Sequence, residues 1–568
     1  MKEQGSTAVT TQWWKEAVAY QIYPRSFMDS NGDGIGDLNG ITARLDYLKS
    51  LGIDVIWICP MYKSPNDDNG YDIADYQAIM EEFGTMADFD RLLAEVHRRG
   101  MRLILDLVVN HTSDEHAWFI ESRSSRDNPK RDWYVWRDGK GGVGGTPGDE
   151  PNNWESIFKG SAWKYDETTG QYFLHLFSTR QPDLNWENLE VRAAVNQMVC
   201  WWLDKGIDGF RLDAVSHMKK VPDLPDMPNP QGLEHVPSQD MHMNVGGVLE
   251  YMDDLCRNSF RHYDIMTVGE ANGVSAEQAR DWVGTEHQRL NMIFQFEHLL
   301  LWSNDPQAGL DLVALKKIFS RWQDTLHGVG WNALFLENHD IPRIVSKWGD
   351  VDRYWRESAT ALATMYFLME GTPFIYQGQE IGMTNTRFDG IEDFDCIFAR
   401  NEFALRRARG ETDEQILGAL AVTARDNSRT PMQWDASSNA GFTTGTPWLK
   451  ANPNYPAINV AQQDADPDSV LNYHRRLIAL RKAERVLVHG RYALLMEDDP
   501  QIYAYTRSLG EARIVVIANL SGETARYTHD EFALRHAGLL LANHAVEPHP
   551  PTDTLALLPY EARVYRID

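Results

Sequence analysis

The chain has 568 residues, with 55 Lys and Arg against 82 Asp and Glu, a formal net charge of −27. It is too long for one ordinary domain and too acidic to attract nucleic acid or an anionic membrane surface. Hydrophobic residues at 43% and aromatics at 11% supply a sizeable core and argue against disorder.

A neutral small molecule suits such a surface, although an acidic solvated face explains the charge equally well. The 19 Trp and 22 Tyr suit both sugar clefts and ordinary cores. Cys59, Cys200, Cys256 and Cys396 are scattered, with no Cys-x-x-Cys pair, so neither a zinc site nor a disulfide framework is implied. Met1 to Thr11 is polar, without an apolar signal core. No run is long and apolar enough to span a bilayer. These features predict a cytoplasmic enzyme, monomeric or weakly dimeric, with no nucleic-acid or membrane partner.

In chain order, Ala17 to Tyr23 is a β-rich run stopped at Pro24. The polar loop Asp29-Ser-Asn31-Gly-Asp33-Gly34-Ile35-Gly-Asp37 follows. Oxygen-bearing side chains recur there at two-residue steps with glycines between, as a hard cation requires. An EF-hand would end in glutamate, and that place holds Gly40. The loop is therefore either a calcium loop of another type or a polar turn.

Ile53 to Cys59 predicts a second buried strand, Met86 to Arg99 a helix capped by Gly100, and Leu103 to Val109 a third strand running into Asn110-His111. Strand, helix, strand, helix predicts parallel strands with crossover helices. From 113 to 181 the rhythm breaks, through the Gly-rich run Gly141 to Gly148. A structureless loop of that length is improbable, so an inserted domain is expected. Helix Val191 to Lys205 restores the alternation. The remaining strands are expected at 207–213, 264–270, 291–296, 333–338 and 373–377.

Eight strands with interleaved helices predict an α/β fold, a (β/α)8 barrel. The inserted domain falls at 111–182, between barrel parts 1–110 and 183–486. A polar cap is expected at 383–449. Helix Ser469 to Arg485 closes the barrel, and short β-runs over 487–568 predict a C-terminal antiparallel β-sandwich. Barrel chemistry sits at the C-terminal strand ends. There the sequence puts Asn110-His111, Asp213, Glu270 and His339-Asp340. In the fourth strand Arg211 and Asp213 share a face. The pair is either a buried ion pair or a cation keeping a nucleophilic carboxylate ionised.

Asp106-Leu-Val-Val-Asn-His111, Gly209-Phe-Arg-Leu-Asp213, Val268-Gly-Glu270 and Glu337-Asn-His-Asp340 resemble the four signature regions of the α-amylase family, family 13 of the glycoside hydrolases. Gln181-Pro-Asp-Leu-Asn-Trp186 resembles the additional region of oligo-1,6-glucosidases and related α-glucosidases. The resemblance implies a retaining exo-α-glucosidase with Asp213 as nucleophile, Glu270 as general acid/base and Asp340 as transition-state stabiliser. Desolvation of Glu270 behind its apolar strand should raise its pKa, while Arg211 holds Asp213 ionised. The terminal glucose would be bound by Asp68, Tyr71, His111, Gln181, His339 and Arg425, with Tyr71 stacking on the ring and Phe158 and Phe177 as pocket walls. The metal loop would hold a structural calcium through Asp29, Asn31, Asp33, Asp37 and the Ile35 carbonyl. No organic cofactor is implied.

Linkage choice is tied in this subgroup to the residue after the nucleophile. Relatives that cut α-1,6 bonds tend to carry valine there, and this chain has Ala214. A small side chain leaves room for an α-1,4-linked aglycone, which His217 and Asn272 could bind. The expectation is a maltase acting on short α-1,4 oligosaccharides, with some transglucosylation, and an oligo-1,6-glucosidase as the alternative. Sucrose isomerases share most of these motifs but carry Arg-x-Asp-Arg after the sixth strand. Phe296-Glu-His-Leu-Leu-Leu-Trp302 stands there instead.

Overall fold

Eight short strands, buried along nearly their whole length, run parallel in one sheet. They are β1 (Ala19–Ile22), β2 (Val55–Ile58), β3 (Arg102–Val108), β4 (Gly209–Asp213), β5 (Met266–Glu270), β6 (Met292–Phe294), β7 (Ala333–Leu334) and β8 (Thr372–Tyr376). The computed structural model describes residues 12–142, 148–302, 309–528, 534–550 and 552–567. The polar N-terminal stretch Met1 to Thr11, and 143–147 of the Gly-rich run, lie outside the described residues.

The strand order is β6-β5-β4-β3-β2-β1-β8-β7. A parallel bridge from Ile293 to Asn332 joins the two ends, so the barrel is nearly closed. Side chains alternate across each strand. Ala19, Val55, Trp57, Ile104, Met266, Val268, Phe294 and Phe374 form the interior layer. Their neighbours Tyr20, Ile56, Ile58, Leu103, Leu105, Phe210 and Leu212 face the helices instead. Both faces are buried, which is why the strands read as continuous apolar runs.

Six strands are shorter than expected by two to four residues, while β3 and β8 keep the expected length and begin one residue earlier. The largest difference is β7, where pairing stops at Leu334. The chain from Phe335 to Asp340 then leaves the ladder and delivers its polar end to the barrel mouth. Helix Met86–Arg98 opens with a capping box between Thr85 and Asp88. Helix Leu189–Asp204 is capped by Asn188.

The insertion after β3 holds a helix, Ala117–Ser124, and an antiparallel sheet ordered Trp136–Arg137, Gln171–Leu174, Trp163–Asp166. Its strand Trp154–Glu155 pairs in parallel with Val236–Pro237 from the segment after β4. The insertion is thus stitched to a second loop of the barrel.

The expected polar cap is a helical hairpin with its own apolar core. Helices Ile397–Ala408 and Asp413–Thr423 bury Phe388, Phe394, Phe403, Ile416 and Leu420 between them. Helix Val470–Ala483 closes the barrel. The C-terminal region is antiparallel. A five-stranded sheet is ordered Arg491–Leu495, Ile502–Leu509, Ala512–Asn519, Ala562–Ile567, Gly538–Ala542, and a two-stranded sheet pairs Ala525–Thr528 with Thr554–Leu557. They share a core of Ile502, Val515, Ile517, Tyr527, Leu555 and Leu557.

Candidate active site

Register builds the centre of the site. In the parallel ladder Arg211 of β4 stands opposite Asp106 of β3, so their side chains lie next to each other on the interior face. Arg211 Nη1 donates to Asp106 Oδ1 at 2.7 Å and to Asp213 Oδ1 at 2.6 Å. Its Nη2 donates to Glu270 at the end of β5. One buried guanidinium thus ties three carboxylates from three adjacent strands. Trp57 of β2 donates its indole N–H to Asp106 Oδ2 at 3.0 Å and lies under the Arg211 guanidinium, 5.2 Å from its ring centroid.

Asp340 enters from the segment after β7. Its Oδ1 accepts from Arg429 Nη2 at 2.9 Å and faces Arg425 Nη1 and His339 Nε2, each at 3.5 Å. Arg429 also donates to the His339 carbonyl and to Asn69 Oδ1. The three acids keep one side open to solvent. Their side chains are 11% (Asp213), 15% (Glu270) and 28% (Asp340) exposed.

Burial pushes Glu270 up to about 7, and the Arg211 charge holds it back only in part against Asp213 and Asp340. Burial also raises Asp213, to about 6. The Arg211 charge opposes that rise. The guanidinium is divided among Asp106, Asp213 and Glu270, and it does not outweigh the loss of water around Asp213. Asp340 differs. It too is desolvated, but Arg425, His339 and Arg429 together hold it well below the carboxylate range.

The expected sugar-binding residues gather around this centre. Tyr71 stacks on His339, ring centroids 5.2 Å apart at 9°, with its hydroxyl 2.6 Å from His339 Nε2. Here its stacking partner is a protein ring. Gln181 Nε2 donates to Asp68 Oδ2 at 2.9 Å and lies 3.2 Å from His111 Nε2. Burial lifts Asp68 to about 7 and lowers His111 to about 4 and His339 to about 3. Phe177 touches His111, Phe158 and His217 at centroid distances of 5.0, 5.7 and 6.0 Å. Arg425 lies over Phe158 at 5.2 Å. Asn272 Nδ2 donates to Glu270 Oε1 at 3.1 Å. Ala214 adopts a left-handed backbone at φ 45° and is buried directly after Asp213.

Asp106, Arg429, Asn69 and Trp57 belong to this network and were not singled out from the sequence. Two signals point to them in retrospect. Asp106 is a lone acid inside an otherwise apolar strand. Arg425 and Arg429 are four residues apart in Arg-Asp-Asn-Ser-Arg, the spacing that puts two side chains on one helix face.

The 29–37 loop is separate from this centre. Asp29 Oδ1 accepts from the N–H groups of Asn31 and Gly32, and its Oδ2 from that of Gly34. Asn31 and Asp33 each accept an N–H two residues on. Asp37 caps helix Leu38–Ala43 and holds Ser30. The donors are oxygens, as calcium wants, but they are turned onto the loop's own N–H groups. Among the described residues no three His, Cys, Asp or Glu side chains gather closely enough to hold a metal ion.

Residues 21–490 match the α-amylase catalytic-domain family model. The chain belongs to the α-amylase family. It is a glycoside hydrolase, and the match takes in all three acids. A probable oligo-1,6-glucosidase of Bacillus subtilis is 55% identical over 97% of this chain and 99% of its own length. An oligo-1,6-glucosidase of Halalkalibacterium halodurans is 54% identical over 98% of this chain and 99% of its own. Among solved structures, the trehalulose synthase of Pseudomonas mesoacidophila is similar at a TM-score of 0.90 and 44% identity, covering 98% of this chain and 99% of that one. The trehalose-6-phosphate hydrolase of Bacillus licheniformis reaches 0.89 at 42%, with the same coverage.

Proposed function

We propose that the protein is a retaining exo-α-glucosidase that removes glucose from the non-reducing end of short α-1,6-linked oligosaccharides. The observation that carries this is the single guanidinium joining Asp213 and Glu270, with Asp340 held apart by its own two arginines. Two carboxyls bound to one guanidinium are too close to leave the wide gap that direct attack by water needs, and this favours double displacement. Glu270, whose pKa lies highest of the three acids, protonates the leaving glycosidic oxygen. Asp213 attacks the anomeric carbon and forms a glycosyl ester. Glu270 then takes a proton from the incoming water, which releases glucose with its α configuration. Asp340, held ionised, accepts hydrogen bonds from ring hydroxyls, and these tighten as the sugar flattens. Asp68 and Arg425 close the glucose pocket and make the action exo. A sugar hydroxyl replacing the water gives some transglucosylation.

On linkage, the α-1,4 preference expected from Ala214 is not where the relatives point. Relatives 53–55% identical over nearly their full length are named for α-1,6 cleavage. A second reading stays open on one observation, the small Ala214 side chain in a left-handed turn, which leaves space beside the nucleophile. Sucrose isomerisation lacks its Arg-x-Asp-Arg segment, since Glu297 to Leu301 here form a short helix whose Glu297 pairs with Arg321. The test is kcat/KM on isomaltose against maltose, with the product anomer read by NMR. Faster isomaltose cleavage releasing α-glucose is expected. Faster maltose cleavage reverses the linkage, and β-glucose or no glucose defeats the mechanism.

For the 29–37 loop, a structural calcium rests on donor chemistry alone. A melting midpoint that falls on chelation and returns with calcium would support it, and an unchanged midpoint would leave the loop held by its own hydrogen bonds. Among the described residues no helix is long and apolar enough to cross a membrane. With an acidic surface and four free cysteines, a cytoplasmic place and a small neutral sugar as partner are the reading we adopt.

A further inference from the structure

Behind the turn that follows β4 lies a buried polar chain that the roles above do not use. His217 and His242 meet Nδ1 to Nδ1 at 2.9 Å, their rings 5.1 Å apart. Both are buried. Burial lowers His217 to about 4 and His242 well below the usual histidine value, and the Lys220 charge acts the same way. Both rings are therefore neutral, and a contact of this length between them needs one Nδ1–H and one bare Nδ1.

The direction is set one step further out. His242 Nε2 lies 3.3 Å from Ser238 Oγ, and Ser238 Oγ lies 3.2 Å from the Glu155 carbonyl oxygen. A carbonyl only accepts, so the Ser238 hydroxyl donates to it and offers its lone pairs to His242 Nε2–H. A neutral imidazole carries one proton. His242 Nδ1 is then bare and accepts from His217 Nδ1–H, which leaves His217 bare at Nε2. That atom makes no hydrogen bond among the described residues. The relay is held in place at both ends. Val236–Pro237 pairs with Trp154–Glu155 of the insertion, and the Asn244 N–H donates to the Ser216 carbonyl at 2.9 Å.

We propose that His242 is a positioning residue for aglycone selection: with Ser238 and the Glu155 carbonyl it locks His217 in the Nδ1-protonated form, so that Nε2 accepts a hydrogen bond from a hydroxyl of the leaving sugar. This rests on the glucosidase reading above and on His217 packing against Phe177, the ring that also touches His111 of the expected glucose pocket. A group that only accepts selects a sugar hydroxyl and ignores a leaving group that has none to offer.

The test compares His242→Phe with His242→Asn on the better disaccharide and on p-nitrophenyl α-glucoside. Phe removes the acceptor, and kcat/KM on the disaccharide should fall about tenfold, while the aryl glucoside changes by less than about twofold. Asn offers Oδ1 to His217 Nδ1–H and should restore most of the loss. A parallel loss on both substrates, or Asn no better than Phe, overturns the proposal and leaves His242 as packing. A parent enzyme that releases no glucose from either substrate fails the glucosidase reading itself, which is a separate result.

Discussion

Arg211 at the barrel mouth and Arg507 beneath the C-terminal sheet are both buried, yet they sit in opposite chemistry. Arg507 gives its N–H groups to backbone carbonyls: Leu487 at 2.7 Å, Gly490 at 2.6 Å and Leu368 at 2.5 Å. Its neighbour Arg481 does the same with the carbonyls of Phe367 and Met369. Among the described residues no carboxylate accepts from either, and burial pushes Arg507 down to about 10 and Arg481 to about 9. Arg211 is desolvated too, but Asp106, Glu270, Tyr71 and Asp213 around it raise it well above the ordinary arginine value. The difference teaches that a buried cation marks a working site only where it meets acids that keep a face open. On carbonyls it ties chain segments together. Arg507 joins the end of a barrel helix to the strand at 502–509, and that is a structural duty.

Four measurements would break or sharpen this contrast. The largest effect is expected at the acids. Asp213→Asn and Glu270→Gln should each lower turnover by about a thousandfold or more, with folding intact because the amide can still accept from Arg211. Normal turnover in either variant would place the chemistry elsewhere. Next comes Arg507→Met, which strands several buried carbonyls and should cost on the order of 3 kcal/mol of stability. Denaturant midpoints would read that loss, and kcat/KM below the transition should be unchanged. A loss of activity at full folding would mean that the two regions are coupled.

The pH profile of kcat/KM should then be a narrow bell. Asp213 works ionised, so the rate falls as pH drops through about 6. Glu270 works protonated, so the rate falls as pH rises through about 7. A profile flat from 5 to 9 would contradict these environments. The smallest effect is expected at Ala214→Val, which should move the isomaltose-to-maltose ratio by a few-fold toward isomaltose. A β-branched residue at a φ of 45° is strained, so a modest fall in melting midpoint should accompany it. An unmoved ratio would reduce Ala214 to packing.

The barrel was legible because strands buried on both faces are unbroken apolar runs, and their polar ends at 110–111, 213, 270 and 339–340 stand out by contrast. The inserted domain was legible only as an interruption. Its strand partner at 236–237 lies 82 residues beyond Trp154–Glu155, and nothing local announces that pairing. The cap reads as polar in the sequence because the apolar positions of its two helices are interleaved with charge. Their shared core appears only when the hairpin closes. The 29–37 loop carried a pattern that calcium loops and Asx turns have in common, so spacing alone could not separate them.

The order of residues along the chain determined which groups stand at strand ends, because alternation and burial are local properties of a strand. It therefore fixed the identity of Asp213, Glu270 and Asp340 as neighbours of one mouth. Only the folded barrel decided how charge is divided among them. Register set Arg211 beside Asp106 on one neighbouring strand and within reach of Glu270 on the other, and the short helix that follows the cap hairpin carried Arg429 to Asp340. Those are contacts between residues 59, 89 and 105 positions apart in the chain, and the energy of a buried charge depends on every such neighbour at once.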